Sequence, residues 1–282
     1  MKMPKPSPEI AASRRKYGNQ YAHLNGDGEY DVVPRREASA KTAQETHTSK
    51  QRSGNAKIEQ KARELQREIW RRRYEFWPDG VPTDPVKLLD LAVAAECRGY
   101  RLHKPEHIGD FEDRAGGGAI AGLIDRDLHE ISVANHLPFM THRFTAAHEL
   151  GHAVLHTGTG MHRDRAVDGS SIGRGHRDKQ EAEADKFATY FLMPEKLVRE
   201  RFKQIFGFDC AFMLTDDKAF SLDPADPEGL MRRCRTVRDL SRVLATAEQY
   251  NGRLVRSLAD QFGVSPEAMA IRLEELGLVT PG

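Results

Sequence analysis

The chain has 282 residues, with 43 Lys and Arg against 42 Asp and Glu, so its formal net charge of +1 gives no electrostatic reason to bind nucleic acid or anionic membrane. Hydrophobic residues make up 39% and charged residues 30%; no apolar run approaches the ~18–20 residues that cross a bilayer, and Met1–Pro8 lacks the apolar stretch of a secretory signal. Cys97, Cys210 and Cys234 form no C-x-x-C pair, which argues against a disulfide framework or a cysteine-ligated metal and leads us to expect a cytoplasmic protein with buried free thiols.

Residues 1–56 are rich in Lys, Arg, Ser, Pro, Gly, Asn and Gln, and they lack apolar periodicity. Burial cannot offset the entropy of ordering such a segment, so a disordered polar tail is expected. From Lys57 to Trp77 the period turns helical, with Ile58, Ala62, Leu65 and Ile69 on one face and Arg71, Arg72 and Arg73 near the C-terminal dipole. Asp84 and Pro85 read as an N-cap and first position of a helix through Cys97; Gly99 ends it, and Tyr100–His103 is a short strand. Gly116–Gly118 is a turn, without the Lys-Ser/Thr of a phosphate loop. Ala121–Ile124 and Glu130–Ala134 flank Asp125-Arg126-Asp127, a hairpin signal. A helix is expected over Phe144–His156, a mobile polar loop over 157–180, and helices over Glu181–Leu192 and Glu195–Phe206. Residues 209–235 are weakly patterned, and two or three helices are expected within 236–277.

The helix from Phe144 contains His148-Glu149-Leu150-Gly151-His152. Histidines at i and i+4 share one helix face and can reach one ion at about 2.0–2.1 Å, with the intervening glutamate placed to act on a water. His156 lies eight residues from His148, about 12 Å along the helix, too far for three parallel side chains to converge, and is expected to play a structural or ligand-supporting role. Downstream, Gln180-Glu181-Ala-Glu183-Ala-Asp185 opens a helix whose Ala184, Phe187, Ala188 and Phe191 form an apolar stripe. Glu181 and Asp185 are spaced i, i+4, so one carboxylate can ligate a metal while the other orients a histidine. Two histidines and a carboxylate leave one position of a four-coordinate site open, as in catalytic zinc.

The stretches Arg143–His156, Glu181–Pro194, Ile131–Asn135 and Ser257–Leu278 resemble the ImmA/IrrE-type metallopeptidases over roughly residues 60–280. The resemblance implies one zinc per chain, held by His148, His152 and Glu181, with Asp185 four residues later and Glu149 as the catalytic base; Glu183, in the same turn, competes with Glu181 as ligand. It implies an α+β, zincin-like domain: a small mixed sheet packed on the metal-bearing helices, with additional C-terminal helices. The divisions expected are 1–56 tail, 57–208 metallopeptidase domain and 209–282 helical region. Ile131–Asn135 is expected to be a sheet edge open to an extended substrate. The activity implied is a narrow endopeptidase that cleaves a helix-turn-helix transcriptional repressor; the alternative is a zinc-containing regulatory protein without peptidase activity. The end of the chain, around Gly263, itself reads as helix, tight turn, helix, but its second helix offers only Arg272 against Glu267, Glu274 and Glu275, so packing or substrate docking is expected there rather than direct DNA binding.

Overall fold

A computed structural model describes residues 40–111, 118–157, 161–165, 179–208 and 210–280, in which helices surround a small mixed sheet, an α+β architecture. The stripe Ile58, Ala62, Leu65 and Ile69 is buried on α1 (Ala40–Arg71). This helix begins at Ala40 rather than Lys57, so 40–56 of the expected disordered tail is helical; residues 1–39 lie outside the described residues. The stretch 40–56 contains the helix formers Ala, Lys, Gln and Glu but no apolar stripe, and that stripe is the main signal by which a sequence announces a helix. A single turn, α2 (Arg73–Phe76), follows. The helix expected from Pro85 to Cys97 is in two pieces. Asp84 caps a 3₁₀ turn over Pro85–Leu88, and Asp90 restarts the chain as α3 (Leu91–Cys97) by accepting from the backbone N–H of Ala92 and Val93.

The sheet comprises β1 (Arg101–His103), β2 (Asp110–Phe111), β3 (Gly118–Asp125), β4 (Glu130–Val133) and β5 (Met161–Arg165), in the order β1-β4-β3-β2 with β5 also paired to β3. The expected hairpin forms, with Gly122 opposite Val133 and Asp125 opposite Glu130. The expectation that Ile131–Asn135 is an open edge is wrong. β1 pairs with β4 in parallel on one side, Leu102 opposite Ile131, while antiparallel β3 occupies the other. Beyond the strand, the N–H groups of Ala134 and Asn135 donate to Ala121 O at 2.9 Å and Pro105 O at 2.8 Å. A partner as short and as distant in sequence as β1 leaves no local trace in the residues of β4. β5 falls inside the expected 157–180 loop and runs antiparallel to β3, from Ile120 opposite Arg165 to Asp125 opposite Met161. Its sequence, Met-His-Arg-Asp-Arg, has no apolar alternation to announce a strand; residues 158–160 and 166–178 of that segment lie outside the described residues.

Three helices carry the chain across the sheet: α4 (Phe139–Leu155), α5 (Lys179–Leu192) and α6 (Glu195–Phe206). α4 starts behind Pro138, five residues before the expected Phe144. A Cβ on Gly151 would stand 3.0 Å from Ala184 Cα and 3.1 Å from its carbonyl oxygen, so the close approach of α4 and α5 depends on the absence of a side chain there. This layout, a small sheet on two closely crossed helices, is zincin-like.

The weakly patterned stretch contains α7 (Asp216–Leu222) and α8 (Pro227–Arg233). Then follow α9 (Val237–Thr246), a hairpin of β6 (Gln249–Tyr250) and β7 (Arg253–Leu254), α10 (Leu258–Phe262) and α11 (Pro266–Glu275). α10 and α11 are joined through Gly263 at φ 61°, the left-handed turn that ends α10. Arg238 pairs with Glu267 and Glu274, and Arg242 with Glu267, which ties α9 to α11. One buried apolar cluster runs from Ile58 to Val279, so α7–α11 share their core with the sheet and with α4–α6. Among the described residues, no helix is long and apolar enough to cross a membrane.

Candidate metal centre

α4 presents Phe144, Ala146, Ala147 and Leu150 to the core, and the same burial encloses its polar residues: His152 is 1% exposed and Glu149 0%. Polar groups are kept in such a place only when partners compensate for lost water. His148 Nδ1 lies 2.9 Å from Asp185 Oδ1. A carboxylate can only accept, so Nδ1 carries the proton and Nε2 of His148 presents a lone pair. That Nε2 is 3.0 Å from His152 Nε2 and 3.3 Å from Glu181 Oε2, and His152 Nε2 is 3.4 Å from Glu181 Oε1.

Four ligands arranged tetrahedrally at about 2.0–2.1 Å from zinc stand about 3.3 Å from one another. The three separations bracket that value. Two imidazole nitrogens and a carboxylate oxygen gathered within 3.4 Å of one another are a donor set for a divalent cation, so the residues present fit a zinc ion. Among the described residues, His148, His152 and Glu181 are the group so placed. Glu183 is not part of it: one of its oxygens lies 3.2 Å from His156 Nε2 and the other 3.4 Å from Lys179 Nζ. His156 in turn stands with Nδ1 3.1 Å from His152 Nδ1.

Two features of the site were not singled out in the sequence. A Cβ on Gly122 would come within 2.2 Å of Glu149 Oε1 and 2.8 Å of Thr145 Cγ2, so β3 runs close over the Glu149 carboxylate and a side chain at this position would have to push Glu149 or Thr145 aside. A glycine inside a strand pattern was the available signal, since it marks close approach of another group to the backbone. Arg126, in the β3–β4 turn, donates from Nη2 to the carbonyl of His152 at 3.3 Å and ties the hairpin to the last turn of α4. That contact is visible only once the hairpin has been placed.

Asp185→Ala is expected to weaken zinc binding by about 10–100-fold, because it removes the acceptor that sets the orientation and tautomer of His148. Competition with a chromophoric chelator measures this, and an affinity equal to that of the unaltered chain would contradict it.

Residues 111–209 match the model of peptidase family M78, described as the IrrE N-terminal-like domain, over a stretch running from the end of β2 through α6 and holding every residue of the centre. This stretch is similar to the IrrE N-terminal-like domain. That family is one of metallopeptidases, and the matched stretch contains the three-donor group that could hold a metal. Searches of curated proteins and of solved structures find no significant match. Segments outside residues 111–209 brace this stretch at the end of α5. From α1, Gln66 donates to the carbonyls of Tyr190 and Phe191, each at 3.0 Å. From α11, the buried Arg272 donates to Met193 O at 3.1 Å and stacks its guanidinium 4.9 Å from the Tyr190 ring centre. Enclosure of Tyr190 pushes its phenol up to about 12, so it is neutral across the physiological range.

Proposed function

We propose that the chain is a zinc-dependent endopeptidase of narrow specificity, with one zinc held by His148, His152 and Glu181 and with Glu149 as general base. The observation that carries this reading is the convergence of three electron-pair donors, next to a wholly buried glutamate, within a segment matching a metallopeptidase family. When bound, zinc supplies Lewis acidity, lowering the pKa of a water to about 7 and drawing charge from the scissile carbonyl. Glu149 removes a proton from the attacking water as its oxygen bonds to the carbonyl carbon. It then delivers that proton to the amine nitrogen as the C–N bond breaks. Its carboxylate lies close under Gly122 and is wholly buried, which limits its freedom and favours transfer at fixed geometry. Asp185 holds the ring of His148 in place throughout.

The alternative, a regulatory protein that keeps zinc but cleaves nothing, calls for a closed set of four protein ligands, often cysteines. Among the described residues the group has three donors; Cys97, Cys210 and Cys234 are free and not among them, and Cys210 is exposed and the other two half-buried rather than buried as expected. For the substrate we propose a helix-turn-helix transcriptional repressor in the cytoplasm, on the strength of the resemblance in Arg143–His156 and Glu181–Pro194. We do not assign DNA binding to α11, whose Arg272 is buried against α5. Co-expression with a helix-turn-helix repressor encoded nearby tests the substrate. A discrete cleavage product that disappears with Glu149→Gln is expected; an intact repressor beside zinc-loaded enzyme would refute this choice.

A further inference from the structure

We infer that His156 and Glu183 form a positioning pair for the metal ligand His152, as Asp185 does for His148. The inference builds on the zinc reading above. His152 points Nε2 at the metal position, while its Nδ1 faces Nδ1 of His156 at 3.1 Å. Two ring nitrogens at that distance are compatible only if one carries a proton and the other a lone pair. Glu183 decides which. Its Oε2 lies 3.2 Å from His156 Nε2 and, as a carboxylate, can only accept, so His156 keeps a proton on Nε2 and, as a neutral ring, offers a lone pair at Nδ1. His152 must then carry its own proton on Nδ1, which leaves Nε2 free to bind a metal.

The chain Glu183–His156–His152 therefore fixes both the tautomer and the ring orientation of the second ligand. The geometry suits the task. His156 follows the last turn of α4 with its backbone already extended at φ −114° and ψ 124°, and its ring centre lies 5.0 Å from that of His152. Glu183 reaches it from α5, two residues after the ligand Glu181. The two glutamates of Glu181-Ala-Glu183 thus have separate tasks, one at the metal and one behind a histidine.

Four forms of the full-length protein test this: unaltered, His156→Leu, His156→Asn and Glu183→Gln. Each is stripped of metal, titrated with zinc against a chromophoric chelator, and loaded with cobalt(II) for its visible absorption spectrum. His156→Leu removes the acceptor and is expected to raise the zinc Kd by about 10–100-fold and to alter the cobalt spectrum. His156→Asn returns an acceptor oxygen near the position of Nδ1 and is expected to recover most of the affinity. Glu183→Gln no longer dictates the tautomer and is expected to fall with His156→Leu. Thermal midpoints of the metal-free forms supply the control. Equal affinities for His156→Leu and His156→Asn, or a loss that follows only a drop in metal-free stability, would overturn the pairing while leaving the zinc site intact. Failure of the unaltered protein to bind zinc would overturn both this inference and the function on which it rests.

Discussion

Glu149→Gln is expected to lower peptide cleavage by at least ~10²-fold, the usual scale of a general-base contribution, while zinc remains bound. The amide keeps the shape of the carboxylate beneath β3 but cannot take a proton from water. The substitution is informative because Glu149 is wholly buried, so bulk solvent is poorly placed to supply a substitute base. Its place beside His148 raises one competing role, that of a ligand. Zinc content measured on the same preparation separates the two. Loss of activity with zinc retained supports the base; loss of zinc in proportion to activity shows that Glu149 was assigned the wrong task.

Gly122→Ala is expected to be nearly as damaging, although the residue has no side chain and ligates nothing. The added methyl would stand 2.2 Å from Glu149 Oε1 and 2.8 Å from Thr145 Cγ2, closer than carbon tolerates. Thr145 lies on the same helix as the two histidines, so the strain falls either on the carboxylate or on the spacing between β3 and α4. A displacement of about 1 Å at a reacting group costs on the order of 10²-fold in rate. We therefore expect kcat/KM to fall by about that factor, with a smaller change in zinc affinity because neither histidine is struck directly. A Gly122→Ala enzyme with unaltered kcat/KM would show that β3 does not confine the base.

Much of the centre was legible in the sequence because its chemistry lies on two short helical patterns. His148, Glu149 and His152 share a spacing that only a helix makes useful, and Ala184, Phe187, Ala188 and Phe191 give the second helix its buried face. The choice between Glu181 and Glu183 was harder. Two residues apart on a helix means about 200° of rotation, so the two side chains leave the axis in nearly opposite directions. Which one meets the histidines depends on how α5 is docked. The contact of Gly151 with Ala184 helps to set that docking, and it brings Glu181 beside His148 and His152 and Glu183 beside His156.

Other features escaped for equally physical reasons. β4 declared its alternation through Ile131 and Val133, but its second neighbour, β1, is three residues long and arrives from far upstream. α7 and α8 are seven residues each and are anchored by few buried apolar side chains, Ala219 and Leu222 in one and Leu230 in the other, too few for a helical period to emerge. The C-terminal pair α10 and α11 was readable as helix, turn, helix through Gly263, whereas the anchoring of Arg272 on Met193 O required the fold.

The central claim, that His148, His152 and Glu181 hold one zinc, is tested most directly by metal analysis of purified full-length protein alongside Glu181→Ala and Glu183→Ala. The expected result is one zinc per chain in the unaltered protein, a nearly empty site in Glu181→Ala, and an intermediate content in Glu183→Ala. Full zinc content in Glu181→Ala, with loss confined to Glu183→Ala, would contradict the assignment.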